Sequence, residues 1–97
     1  MNKENIEFYK ECIDIWGVDA QIKMCIEEMS ELTKALCKYK RYGKENADPK
    51  LKEDIIEEIA DVLNMAEQMA HYFGVDAVEK VRDEKIERSL KRLNKEN

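Results

Sequence analysis

The sequence predicts an all-α protein, a four-helix bundle-like protomer that assembles with copies of itself as an oligomer. Apolar residues recur at three- and four-residue spacings through most of the chain, the period of an amphipathic helix. The single Pro and the three Gly all fall at breaks between periodic stretches, not inside them. At 97 residues the chain makes one domain, spanning 1–97. A chain this short buries only about 60–65% of its unfolded surface, so association is expected.

The first helix covers residues 4–16, where Ile6, Tyr9, Ile13 and Trp16 share one face. Gly17 ends it, and Val18-Asp19-Ala20 opens the second, with Asp19 favourable in the first turn. That helix is expected from about Asp19 to Tyr42, burying Ile22, Cys25, Met29, Leu32, Leu36 and Tyr39, with Ile26 alongside. Lys38, Lys40 and Arg41 suit the negative end of its dipole. Residues 43–49 read as the one clear loop, with Asp48 as N-cap and Pro49 at the first helical position. The third helix runs to about Phe73, turning Leu51, Ile55, Ile59, Val62, Met69 and Phe73 inward. Gly74 stops it, and Val75-Asp76-Ala77 begins the fourth, repeating the Gly-Val-Asp-Ala device of residues 17–20. Residues 93–97 are expected to fray.

Composition narrows the function. A net charge of −5 and a pI near 5 argue against a nucleic-acid polymer as the ligand. No apolar run reaches the length of a membrane span and no signal-peptide pattern opens the sequence, so a cytoplasmic protein without membrane contact is expected. Cys12, Cys25 and Cys37 form no C-x-x-C pair, and the single His71 is far from them in sequence. Reduced, buried thiols are expected rather than a zinc site.

Two matched segments carry the chemistry. Residues 26–32 and 56–62 both read Ile-Glu-Glu-x-x-acid-apolar. The i,i+3 spacing sets Glu28 over Glu31, and Glu58 over Asp61, on the shoulder of each buried stripe, while Glu27 and Glu57 point outward. Two carboxylates about 5 Å apart at an effective dielectric of about 20 repel by about 3 kcal/mol. A single such pair is ordinarily a solvated helix edge with Lys or Arg partners. Two pairs of the same pattern, each bordered by apolar residues, point to a metal site. Carboxylate-only ligands favour hard cations, Mg²⁺ or Mn²⁺ as its substitute, which gather phosphate oxygens. A di-iron bundle would need Glu-x-x-His pairs, and the residue three before His71 is Gln68.

In the fourth helix Lys85, Arg88 and Arg92 form a row beside the apolar Ile86, Leu90 and Leu93. The row is either a solvated helix end or a cationic face for polyphosphate. Gln21 lies two turns before Glu28 on nearly the same face and could reach a ligand. Trp16 could stack on a base, though a Trp at a helix end is more often core, and Asn64 follows Asp61 by three residues. Lys38, Arg41 and Lys44 border the loop, more as a solvated end than as phosphate contacts.

The E-x-x-E…E-x-x-D pattern of Glu28, Glu31, Glu58 and Asp61 resembles the signature of the MazG-like, all-α nucleoside triphosphate pyrophosphohydrolases. Trp16-Gly17-x-x-Ala20-Gln21 and Lys85-Ile86-Glu87-Arg88 are similar to short members, so the resemblance covers nearly the whole chain. It implies Mg²⁺-dependent cleavage of (deoxy)nucleoside triphosphates to the monophosphate and pyrophosphate, a nucleotide-pool housekeeping activity. Glu28, Glu31, Glu58 and Asp61 would hold the metal, and one of them would orient water. Lys85 and Arg88 would contact phosphates, with Gln21, Trp16 and Asn64 near the rest of the nucleotide. A homodimer or homotetramer is implied as well. Ser89 stands where many relatives carry Asn.

Two other readings remain. Phosphoribosyl-ATP pyrophosphatase has similar acid pairs, but its Ser-Tyr-Thr segment and Gly-rich lead-in are absent. A non-catalytic helical interaction module has no need of shoulder carboxylates, since Ala or Leu there would be more stable.

Overall fold

The protein, here a computed structural model, is described over residues 3–43 and 48–96. Four α-helices account for nearly all of it: α1 (Lys3–Trp16), α2 (Val18–Lys38), α3 (Pro49–Phe73) and α4 (Val75–Glu96). A π-helical turn, Tyr39–Gly43, extends α2 where the sequence pattern predicts plain α-helix to Tyr42. Of the expected loop 43–49, residues 44–47, including Lys44, lie outside the described residues, as does Asn97. Helix α4 continues to Glu96, through most of the stretch expected to fray.

The helix boundaries follow local chemistry. Gly17 and Gly74 adopt φ of +85° and +119°, backbone that an L-residue with a Cβ adopts at a cost. Each lets one helix end and the next begin with no intervening loop. The Gly17 N–H donates to the Ile13 carbonyl at 2.8 Å, and the Gly74 N–H to the Ala70 carbonyl at 2.9 Å. Asp48 caps α3 as expected, its Oδ1 accepting from the Lys50 N–H at 3.0 Å with Pro49 behind it.

Helices α2 and α3 form an antiparallel pair, the most extensive packing in the chain. Lys38 and Tyr42 at the end of α2 share a cavity with Asp48 and Leu51 at the start of α3, while Glu28 faces Glu58 and Asp61 mid-helix. Helix α1 lies across both helices. The Tyr9 hydroxyl donates to Glu67 Oε2 at 3.1 Å, and its ring sits 6.1 Å from that of His71. Tyr9, Cys12, Cys25 and Leu51 are the buried apolar residues.

Beyond this junction the chain is open. Every described side chain of α4 from Glu79 to Lys95 is exposed. The radius of gyration is 16.8 Å, against about 12.5 Å for a compact domain of this length. Several residues expected in the core are therefore solvent-facing: Trp16, Ile26, Met29, Leu36, Tyr39, Ile59 and Phe73. They flank the helix contacts instead of occupying them, and one chain supplies no layer to cover them. Cys37 is likewise exposed, whereas Cys12 and Cys25 are buried as expected. Among the described residues no helix is long and apolar enough to cross a membrane.

Asp48→Ala is expected to cost about 1 kcal/mol through loss of the cap, read as a lower urea midpoint at unchanged slope.

Candidate metal centre

Three of the four expected acids converge. One carboxylate oxygen each from Glu28, Glu58 and Asp61 lies within 4.8 Å of the others. Helix α2 contributes Glu28 and α3 contributes Glu58 and Asp61, so the group depends on the register of one helix against the other. Glu28 and Glu58 are half-buried and Asp61 is exposed. Glu31 is exposed and stands outside this triad, yet its charge still acts on both Glu28 and Glu58. Glu27 and Glu57 face solvent, as the wheel position requires.

Burial and mutual repulsion shape the electrostatics. Desolvation is the first cause holding the Glu28 carboxyl above its ordinary value, followed by the charges of Asp61 and Glu58, a hydrogen bond to Asp61, and Glu31. Glu58 is also raised, by desolvation first, then by the charges of Asp61, Glu31, Glu57 and Asp54. Glu58 Oε2 is screened from water and has no hydrogen-bond partner. Among the described residues, the two ion pairs join Arg82 to Glu79 and Lys91 to Glu87, and neither involves the four acids. An unpartnered buried carboxylate oxygen beside two more carboxylates is a poor arrangement for the bare chain. It fits a bound divalent cation, which hard oxygen ligands of this kind hold well.

The other expected site residues differ in exposure. Lys85 and Arg88 are both exposed on α4. Trp16 is 61% exposed at the junction of α1 and α2, and Asn64 is exposed on α3. Gln21 is buried, which withdraws it from solvent. Lys38 and Arg41 stand at the far end of α2, bordering the cavities there.

Sequence reasoning passed over Gln68, only 2% exposed, whose Oε1 also lacks a partner. A signal was present: Gln21 precedes Glu28 by seven residues and Gln68 follows Asp61 by seven. Seven residues return to nearly the same side of a helix, about 10.5 Å along it. In an antiparallel pair the two glutamines therefore sit one repeat along from the acids, toward the α1 junction. The buried thiols of Cys12 and Cys25 are both raised above the ordinary value, chiefly by burial, which makes them poor nucleophiles.

The raised acids link stability to pH. Glu28 and Glu58 bind protons more tightly folded than unfolded, so their protonation stabilises the fold below the ordinary value of 4.5. That contribution is lost as pH rises from there through their folded pKa values. The metal-free protein is expected to melt at a higher temperature near pH 5 than near pH 7.5. Mg²⁺ or Mn²⁺ at the higher pH should restore the difference by mass action. Differential scanning fluorimetry reads both, and Glu28→Gln with Glu58→Gln should remove the response to metal.

No protein-family model, curated protein or solved structure matches this chain.

Proposed function

We propose that this protein is a Mg²⁺-dependent nucleoside triphosphate pyrophosphohydrolase. The observation that carries the reading is the convergence of Glu28, Glu58 and Asp61, with one Glu58 oxygen left unpartnered. Helix-borne carboxylates with no ion-pair partner among the described residues suit a cation that in turn attracts an anion, and polyphosphate is the anion Mg²⁺ ordinarily accompanies. The E-x-x-E…E-x-x-D pattern supports the same reading.

In this proposal Glu28, Glu58 and Asp61 hold the cation, with Glu31 at the rim of the group. The bound ion supplies charge neutralisation of the phosphates and polarisation of the reacting phosphoryl group. Water adds at the α-phosphorus, and the bond from that phosphorus to the α–β bridging oxygen breaks. The products are a nucleoside monophosphate and pyrophosphate, and one of the four carboxylates orients the water and takes its proton. Cation and protons compete for Glu28 and Glu58, whose carboxyls are raised above the ordinary value by burial and neighbouring charge, so activity should rise as pH rises through their titration. Lys85 and Arg88 provide countercharge to the phosphates. Trp16, exposed at the end of α1, is free to stack on a base. Gln21, two turns before Glu28 on α2, and Asn64, one turn after Asp61 on α3, border the rest of the nucleotide. The protein works in the cytoplasm as a homodimer or homotetramer, trimming the (deoxy)nucleotide pool.

The test is a product assay across a panel of ribo- and deoxynucleoside triphosphates with Mg²⁺. Monophosphate and pyrophosphate are expected in equal amounts, and Glu58→Gln should slow the reaction by at least about 100-fold. Orthophosphate as the sole phosphate product, or turnover indifferent to Mg²⁺, contradicts the proposal. Lys85→Ala should raise KM while leaving the melting shift with Mg²⁺ intact. Loss of both together would make Lys85 structural.

A further inference from the structure

The acid-bearing side of the α2–α3 pair runs on into cations. Residues 32–44 carry five Lys or Arg and no Asp or Glu, in a chain where acids outnumber bases 22 to 17. Three of the five stay on the side of the acids. Glu31 lies about 60° round α2 from Glu28, and Lys38, Lys34 and Arg41 lie about 80°, 120° and 140° round in the same direction. Lys40 falls about 120° round the other way. On α3, Asp61 is about 60° round from Glu58 in the same sense, which antiparallel pairing turns to the same side of the pair. Lys34, Lys38 and Arg41 are all exposed, and with Tyr42 they line a cavity of about 350 Å³.

A solvated helix end accounts for only part of this. The pull of a helix dipole falls off within the last turn, and here the helical backbone continues to Gly43. Arg41 therefore suits the dipole, and Lys34 does not. Nor do these cations pair with the acids beside them. Glu31 precedes Lys34 by one turn, yet the ion pairs among the described residues are Arg82–Glu79 and Lys91–Glu87. Side-chain direction separates the two helices. The Cα–Cβ bonds of a helix tilt toward its N-terminus, so on α2 Lys34 and Lys38 lean back toward Glu28. Lys50 shares the same side from α3, about 80° round from Glu58, but leans away from it. Lys34 lies about 9 Å and Lys38 about 15 Å along α2 from Glu28, and their flexible stems shorten both gaps.

We infer that Lys34 and Lys38 recognise the terminal phosphate of a polyphosphate chain, so that the site distinguishes a triphosphate from a diphosphate, a step that rests on the cation site proposed above. The ion on Glu28, Glu58 and Asp61 holds the two phosphates that flank the reacting bond. The rest of the chain then runs along α2 toward Gly43, and the nucleoside lies toward α1. The third phosphate meets Lys34 and Lys38 through charge-assisted hydrogen bonds. Arg41, farther along, adds to the field that draws the anion in. A diphosphate ends at the ion and leaves both lysines unused. Acids and cations form one track with a direction, which accounts for cations gathered beside the acids in a chain of net charge −5.

Calorimetric titration of the full-length protein with inorganic pyrophosphate and with inorganic tripolyphosphate, each in saturating Mg²⁺, reads chain length with no nucleoside present. The wild type should bind tripolyphosphate at least about 10-fold more tightly than pyrophosphate. Lys34→Ala with Lys38→Ala should abolish that preference and leave pyrophosphate affinity unchanged. Both positions are exposed and Ala is a strong helix former, so the helix is retained. Lys34→Arg with Lys38→Arg keeps the charge and should keep the preference. Equal affinities in the wild type, a preference that survives the Ala pair, or equal loss of both ligands overturns the inference; so does loss of the preference in the Arg pair. The melting shift with Mg²⁺ alone reports on the acids separately. That shift without a chain-length preference removes the role of the lysines and leaves the hydrolase reading standing. A preference in a protein that hydrolyses no nucleotide supports the role of the lysines and contradicts only the reaction.

Discussion

The arrangement rests on carboxylates that helix packing forces together. Glu28 and Glu58 are carried into the seam between α2 and α3 because their neighbours, Cys25 and Leu32 on one helix and Ile55 and Val62 on the other, are drawn there by burial. Their repulsion, added to the desolvation of both groups, opposes folding. The apolar contacts along the rest of the seam outweigh it. The site is thus a place where the fold holds charge it would otherwise reject, and that readiness is relieved by a proton or by a cation. At neutral pH protons are scarce, and in the proposed function a divalent cation takes their place.

The same packing explains the shape of the molecule. Each helix of the pair has a shoulder of acids on one side and a shoulder of apolar residues on the other, separated by the buried seam. The antiparallel pairing aligns like shoulders. One surface becomes polar and charged, the other oily, and α1 covers only the end of the pair near Gln68 and His71. Glycines at 17 and 74 let the chain reverse without a loop, so α1 and α4 are anchored at that end and extend from it. Such a chain places its acids and its exposed apolar residues on different sides by construction.

Helix boundaries were largely legible in the sequence, because they depend on local signals. Gly17, Asp48-Pro49 and Gly74 mark ends by backbone conformation and capping, which need no knowledge of the rest of the chain. The shoulder position of the acids was legible too, since angular placement on a helix follows from spacing. Burial was less so. Met29, Leu36 and Ile59 fit an inward stripe by period, but a stripe wider than the seam spills onto a second face, and periodicity cannot say which flank meets a neighbour. The same limit hid the unsupported half of α4, whose apolar residues repeat as if packed. Glu31 shows a subtler case: an i,i+3 partner shares a side with Glu28, yet one further step round the helix leaves it at the rim. Gln21 and Gln68 lay a heptad from the acids and drew notice only singly, because their relation depends on the register between helices.

The most direct test of the central claim is electron paramagnetic resonance of Mn²⁺ titrated into the nucleotide-free protein near neutral pH. Free Mn²⁺ gives a sharp six-line signal that is lost on binding. The account predicts saturable loss of that signal, abolished by Glu28→Gln with Glu58→Gln and reversed by excess Mg²⁺. A free-ion signal that rises from the first addition, or binding that survives the double substitution unchanged, would contradict it.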